Sequence, residues 1–399
     1  MNTRPRLLFI SPRALFPTDE GGKIRTSNIL RHLKGGAFEI TLASPAPSPN
    51  AEWQSSTQSV CDQFISWPAS RPSTLRRMAA LASPLPVSVA TDRSRSGARA
   101  IKDALANGID LVVTDFPHAA VLLPGKPKIP SVLFTHNVEA EIYERHAAVA
   151  KGLWKFVWRD QARKMSAFEG RVCRDHDVQI AVSARDAKSL RQRYGVTSTR
   201  EIVTGVDLIY FQPTAQPETP AQGGTIVFTG VMDSPANIDG VSYFLRDIYP
   251  LILARRPAVQ FTVVGRNPPD HLRAIAKDPH KVRFTGFVDD IRPEVASADV
   301  AVIPLRVGGG TRIKAFESIA MGRPVVSTTI GVEGLGIKPG AHFLCADDPQ
   351  SFADAVLTLL ENAAMRKSLA EDARALLEER FTWKHVARQF EDICLSALH

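Results

Sequence analysis

The residues best suited to chemistry form one run from Leu305, "LRVGGGTRIKAFESIAMGRPVVS". Three consecutive glycines, Gly308, Gly309 and Gly310, follow an apolar strand-like segment and precede a helical pattern that Thr311 can cap and Gly322 can close. Free backbone N–H groups at such a helix start bind phosphate, and glycine lets the phosphate approach the chain closely. Arg312 and Lys314 add two cations at the same end. There the helix dipole disfavours each by about 0.3 to 1 kcal/mol unless an anion is present. The pattern therefore implies a bound anion of phosphate type. Helical spacing puts Ile313, Phe316 and Ala320 on the core face and turns Lys314, Glu317 and Ser318 away from it.

A second glycine-led helix start lies in "PTDEGGKIRTSNILRHL", where Gly21 and Gly22 are followed by the cations Lys23 and Arg25. Titratable residues end two further apolar runs: Asp115 and His118 after "LVVTD", and His136 at the end of "SVLFTHN", with Glu139 three residues on. Arg266 closes "VQFTVVG" and Phe287 lies in "FTGFVDDI". No Gly-x-Gly-x-x-Gly follows the first apolar run and no Gly-x4-Gly-Lys-Ser/Thr occurs, so the phosphate cradles of dinucleotide oxidoreductases and P-loop phosphotransferases are both missing. Cys61, Cys173, Cys345 and Cys394 are scattered without metal-ligand or redox spacing, which predicts four free thiols and no zinc site.

The elements that must position these residues alternate in type. "RLLFI", "FEITLAS", "LVVTD", "SVLFTHN", "VQIAVS" and "EIVTG" in the first half, then "GTIVFTG", "VQFTVVG", "VRFTGF", "VAVIPL", "PVVSTT" and "HFLCAD" in the second, read as continuous apolar strands separated by helical stretches. That rhythm predicts an α/β chain with two doubly wound parallel sheets, each buried on both faces. The proline-rich segment "FQPTAQPETPAQGG" divides them, giving an N-terminal domain over 1–212, a linker over 213–224 and a second domain over 225–380. An amphipathic segment over 381–399 follows, and "SPAPSPNAEWQSSTQS" from Ser44 reads as a surface loop. In such sheets ligands bind outside the carboxyl ends of the strands, so the post-strand loops above carry the chemistry.

With 399 residues, 44% apolar and 23% charged, disorder and a transmembrane helix are excluded, and the short N-terminal apolar run reads as a strand rather than a secretory signal. Residues 1 to 212 hold 29 basic against 19 acidic side chains, whereas the remainder is nearly balanced, so the first half predicts an anionic partner. Nucleic acid is not favoured, because exposed aromatics are not interleaved with the basic residues. The segment "KGLWKFVWRDQARKMSAF" from Lys151 groups Leu153, Trp154, Val157, Trp158, Met165 and Phe168 on one helical arc and Lys155, Arg159 and Arg163 on another. It fits first a helix covering the sheet, as every doubly wound fold needs, and second a helix that lies on an anionic membrane.

The segment from Val300 to Leu335, together with "VVGRNPP", "VTGVDLIYFQP" and "AVSARDAKSL", resembles family 4 of the retaining glycosyltransferases with the GT-B fold, closest to the sugar transferase branch of bacterial exopolysaccharide systems. The resemblance implies two Rossmann-like domains facing across a cleft, the first taking a sugar or lipid-linked acceptor and the second a nucleotide diphosphate sugar, with no metal and no further cofactor. It implies a cytoplasmic enzyme, peripheral at the inner face of the cell membrane if the basic helix binds there. By the same resemblance Glu317 accepts hydrogen bonds from the donor ribose, His136 reaches the transferred sugar near its reacting carbon, and the last segment crosses back to the first domain; Gly308 to Thr311, with Arg266 and Phe287, are the further residues expected at the donor site. The family's first glutamate would fall at Gly309, and its diphosphate-binding Arg and Lys near Val231 and Asn237, none of them matching. Arg312 and Lys314 are therefore expected to supply the missing charge. Two other readings stay open: a nucleotide-sugar epimerase of the same fold, and a non-catalytic nucleotide-sugar binder.

Overall fold

Thirteen strands, all paired in parallel, build two sheets in a computed structural model of the chain that describes residues 4–18, 21–47, 51–69, 72–213, 223–276, 278–307 and 313–399. The first sheet comprises β1 (Arg6–Ile10), β2 (Glu39–Ala46), β3 (Gln63–Pro68), β4 (Leu111–Asp115), β5 (Ser131–Phe134), β6 (Val178–Ala181) and β7 (Thr199–Glu201), in the order β3-β2-β1-β4-β5-β6-β7. Successive side chains of β1 point to opposite faces. Leu7 and Phe9 enter a core with Ile29 and Leu30 of the helix Gly21–Leu33 and Val386 and Phe390 of the helix Trp383–Ala397. Leu8 and Ile10 pack with Ile101 and Ala104 of the helix Arg95–Ala106. Because both faces are covered, the strands read as unbroken apolar runs.

The second sheet comprises β8 (Thr225–Thr229), β9 (Gln260–Val264), β10 (Val282–Gly286), β11 (Val300–Ile303), β12 (Val325–Ser327) and β13 (Leu344–Cys345), in the order β10-β9-β8-β11-β12-β13. The turns leaving β8 and β9 touch: a Cβ on Gly265 would lie 1.9 Å from the carbonyl oxygen of Gly230. Only glycine permits that approach. In each sheet the strand order reverses beside the first strand, between β1 and β4 and between β8 and β11, which is where a crevice opens at the strands' carboxyl ends.

The chain divides into two units, Met1–Val203 with Trp383–His399, and Thr204–Thr382. The final helix thus belongs with the first unit, its Phe390 ring 5.3 Å from that of Phe134 and its Glu391 accepting from the Ala37 N–H at 2.7 Å. The boundary falls ahead of residue 212 because the stretch before the proline-rich segment packs on the second unit. Val206 donates to the Phe381 carbonyl at 2.8 Å, and the Arg292 guanidinium stacks 3.9 Å over the Tyr210 ring.

Four local features differ from what the sequence pattern predicts. The strand β3, whose "QFISWP" is only partly covered at the sheet edge with Trp67 alone buried, carries no continuous apolar signal. The segment from Ser44 continues β2 and then holds a helix, Ala51–Gln58, so it is not simply a loop. The strand expected from Glu201 lies earlier, at Thr199–Glu201, and Ser318, expected to face outward, is buried.

Candidate functional site

Four elements of the first unit meet at the carboxyl ends of β1, β4 and β5. His136, just after β5, is bonded through Nε2 to Asp115 Oδ1 at 2.8 Å and through Nδ1 to Arg25 Nη1 at 3.0 Å. A guanidinium only donates, so Nδ1 accepts and the ring proton on Nε2 faces Asp115. Ser11 and Thr26 hydroxyls also donate to the Asp115 carboxylate, at 3.2 Å each to one oxygen. Arg25, expected as a surface cation for diphosphate, is 2% exposed; burial pushes its pKa down to about 10 against the opposing pull of Asp115. His136 is likewise buried, and as folded it joins Arg25 to Asp115 rather than presenting a ring nitrogen to solvent. Gly21 and Gly22 form the first turn of the helix Gly21–Leu33, and a Cβ on Gly22 would lie 3.6 Å from the His136 ring. Lys23 reaches the Pro17 carbonyl at 3.5 Å.

Next to this cluster Phe116 adopts φ 74° and ψ 141°, a conformation that costs a non-glycine residue about 1 to 3 kcal/mol and persists only where neighbours impose it. Its ring centroid lies 4.6 Å from that of His118 and 6.1 Å from that of His136. His118 is buried, and its Nδ1 bonds to Asp92 Oδ2 at 2.8 Å. The sequence patterns carry no sign of Phe116 or Asp92, because neither a strained φ nor a contact across 26 residues leaves a local mark.

Glu139 is also buried. Desolvation, then repulsion from Glu169, raises its pKa to about 8 against a hydrogen bond from Asn137. Glu169 accepts the N–H groups of Glu139 and Ala140, at 2.8 and 3.0 Å, and the Tyr194 hydroxyl at 2.7 Å, so it caps the helix Glu139–Val149 from a distance. A carboxyl protonated in the fold but ionised when unfolded above about pH 4.3 loses stability as pH rises, by about 1.4 kcal/mol per unit, until its folded pKa is passed. Glu139→Gln is therefore expected to gain on the parent between pH 5.5 and 8 and to hold a constant margin above that. Urea unfolding at pH 5.5, 7 and 8.5 measures it, and a margin independent of pH would show that Glu139 is not the buried acid.

In the second unit the helix Ile313–Ala320 follows β11 and places Lys314 beside the Gly230 turn after β8. Lys314 Nζ donates to Asn237 Oδ1 at 2.8 Å and stands 4.3 Å from the Phe228 ring centroid; a Cβ on Gly230 would be 2.7 Å from that nitrogen. Glu317, one turn on, has its pKa raised to about 7 by desolvation, with Lys314 opposing. Arg266 is paired with Asp233 at 3.8 Å and half-exposed, and Phe287 is 71% exposed just beyond β10. Val231 and Val307 are exposed at the ends of β8 and β11, an apolar contribution that short sequence motifs do not signal. Gly308, Gly309, Gly310, Thr311 and Arg312 lie outside the described residues. Among those described, no group of three His, Cys, Asp or Glu side chains could hold a metal ion, the four cysteines are free thiols, and no helix is long and apolar enough to cross a membrane.

Two parallel-sheet α/β domains in one chain, with polar clusters at the switch points of both sheets, define the GT-B class. The chain's residues 20–209 match the model described as Glycosyltransferase Family 4, and residues 223–362 that of Glycosyl transferases group 1. It is 30% identical over 321 residues, 77% of this chain and 80% of its relative, to the phosphatidyl-myo-inositol mannosyltransferase of Mycobacterium tuberculosis. A D-inositol 3-phosphate glycosyltransferase of Nocardioides is 28% identical over 56% of this chain and 55% of its own. Among solved structures, sucrose-phosphate synthase from Thermosynechococcus elongatus gives a TM-score of 0.70 at 18% identity over 98% of each chain. Anabaena HepE in complex with UDP and glucose gives 0.67 at 15%, covering 98% of this chain and all of the other. The chain belongs to the group 1, family 4 glycosyltransferases and is a hexosyl-transferring enzyme.

Proposed function

We propose that the second unit holds the diphosphate of the nucleotide sugar with Lys314 and Arg312, and that the sugar passes, with retention, to a sugar or lipid-linked acceptor on the first unit during bacterial polysaccharide or glycoconjugate synthesis. The observation that carries this reading is the position of Lys314 Nζ, 2.8 Å from Asn237 and against the Gly230 turn. The family resemblance leaves Val231 and Asn237 without their basic residues, and Lys314 brings an ammonium to that place from a different element. As the anomeric C–O bond breaks, the electron pair leaves with the nucleoside diphosphate, and a fixed cation there gains interaction energy as that charge grows. The new bond forms to the acceptor oxygen, whose proton is released. Glu317 would hold the ribose, Arg266, Phe287 and Gly308 to Thr311 would complete the donor site, and the buried Asp115–His136–Arg25 group would position the Gly21–Gly22 turn, with Lys23 adding charge.

Nucleoside diphosphate release from a panel of nucleotide sugars, with and without a bacterial lipid extract as acceptor, tests the reading. Release that depends on the extract supports transfer; release without acceptor supports the epimerase, and none at all the non-catalytic binder. Because protein cations take the place of a metal at the diphosphate, turnover is expected to survive excess chelator; abolition by chelator with rescue by Mn²⁺ or Mg²⁺ would reject that assignment.

The excess of basic residues in the first half supports reversible attachment to anionic membranes through the start of the helix Leu153–Asp175, where Leu153, Trp154 and Phe156 are exposed. Each basic residue near such a surface contributes about 1 kcal/mol, which salt screens. Sedimentation with phosphatidylglycerol vesicles is expected at low salt and not at high salt. Equal sedimentation with neutral vesicles would remove the electrostatic part of this account.

A further inference from the structure

A cavity of about 800 Å³ opens in the first unit beside the Asp115 cluster. Pro12 and Arg13 line it directly after Ser11, which bonds to Asp115, and Asp92 lines it while holding His118. Its walls come from the helices Thr74–Ala80, Val87–Thr91 and Leu153–Asp175, tied together where the Val87 N–H donates to Gln161 at 2.7 Å and Lys164 Nζ to the Leu81 carbonyl at 2.8 Å.

The polar groups of this lining are largely committed within the protein. Gln161 accepts from Val87, Ser88 bonds to the Tyr143 hydroxyl at 2.7 Å, Thr91 donates to the Ser88 carbonyl at 2.8 Å, and Ser94 caps the helix Arg95–Ala106 through the Gly97 N–H. A sugar would need such groups free. The surface left to a ligand is apolar: Trp67, Met78, Leu81, Trp154, Val157 and Trp158. Two of its walls carry their apolar side chains on outward, Leu75 78% and Phe156 68% exposed, while Arg13 and Arg77 stand in the lining. Exposed apolar residues around a concave apolar site, with cations beside it, match an amphiphile that has an anionic head.

We infer that this cavity takes the hydrocarbon chain of the lipid-borne acceptor, with Arg13 and Arg77 at its anionic linkage, so that the chain leaves the bilayer while the hydroxyl that receives sugar lies toward the Asp115 end. The inference rests on the lipid-linked form of the acceptor proposed above, and adds to it a place for the chain.

The probe is a single-chain lysophosphatidylglycerol carrying bromine on its acyl chain, used below its micelle concentration with the full-length protein. Bromine quenches tryptophan on contact. Trp67, Trp154 and Trp158 line the cavity, whereas Trp53 stacks edge-on against Phe64 and Trp383 is buried in the core. Saturable quenching is expected, and Val157→Glu, which sets a charge in the wall, is expected to weaken it about tenfold or more. Met78→Glu serves as a second wall variant should the first fail to melt cooperatively. The double variant Leu75→Ser with Phe156→Ser is expected to lose vesicle sedimentation and to keep quenching by the monomeric probe.

Absence of saturable quenching in a protein that still sediments with vesicles would overturn the cavity assignment and leave the membrane attachment standing. So would a dimer in analytical ultracentrifugation that the Leu75→Ser and Phe156→Ser changes dissociate, because a second copy would then cover the rim. The acceptor-dependent release assay tests the underlying transferase reading separately.

Discussion

Replacing Lys314 by alanine is expected to lower kcat by about ten- to hundredfold with little change in the donor KM, the loss corresponding to one charge-assisted contact of about 1.5 to 3 kcal/mol. The ammonium lies against the Gly230 turn, where diphosphate would meet backbone, and its attraction grows as the leaving group gathers charge. An interaction made mainly in the transition state appears in kcat. Glu317→Gln should behave in the opposite way, raising the donor KM at nearly constant kcat, because a carboxylate on ribose hydroxyls binds ground and transition states alike. Its pKa of about 7 in the unliganded site adds a signature. Hydrogen bonds from ribose favour the ionised form, so donor affinity should fall about tenfold per unit below pH 7 and level off above it, and the Gln variant should lose that slope. Steady-state kinetics from pH 5.5 to 8.5, on variants shown by melting to be folded, decides this. Normal kcat for Lys314→Ala would shift the diphosphate site toward Arg266.

Much of the scaffold is legible in the chain because burial on both faces leaves a strong mark. β1, β4, β8 and β11 each read as an unbroken apolar run, and Gly230 after β8 shows where the chain must turn. The edge strand β3 is not legible, since a half-exposed strand ending in Pro68 resembles a loop. The site is legible by residue type and less so by direction. Arg25 and Lys23 look alike in sequence as cations behind a glycine pair. Two positions, about 200° around the helix, separate them: Arg25 turns inward to His136, while Lys23 stays near the surface by Pro17. The partner of Lys314 was equally hidden, because Asn237 lies 77 residues earlier and only the neighbouring positions of β8 and β11 bring them together. Glu169 as a remote helix cap, and the cavity walled by three helices, depend on tertiary placement that no periodicity encodes.

That inward turn of Arg25 makes Asp115 the residue whose loss the first unit should tolerate least. Arg25 is fully enclosed, and the charges that oppose its desolvation are Asp115 and, more weakly, Asp186. Deleting one side of a buried charge group strands the other, at about 3 to 5 kcal/mol, whereas replacing both by apolar groups of similar volume is often close to neutral. Asp115→Ala is therefore expected to lower the midpoint of the first unfolding transition sharply. Asp115→Asn, which keeps an oxygen for the Ser11 and Thr26 hydroxyls but no charge, should fall between it and the parent. The double variant Asp115→Asn with Arg25→Met should recover stability relative to Asp115→Asn alone, a sign of coupling that a purely local packing defect at Asp115 would not produce. Denaturant unfolding of the four proteins, followed by hydrogen exchange at the amides of β1 and β4, measures these differences where they arise. Asp115→Ala within about 1 kcal/mol of the parent would mean that Arg25 finds its compensation elsewhere, and that the Asp115–His136 contact serves catalysis rather than the fold.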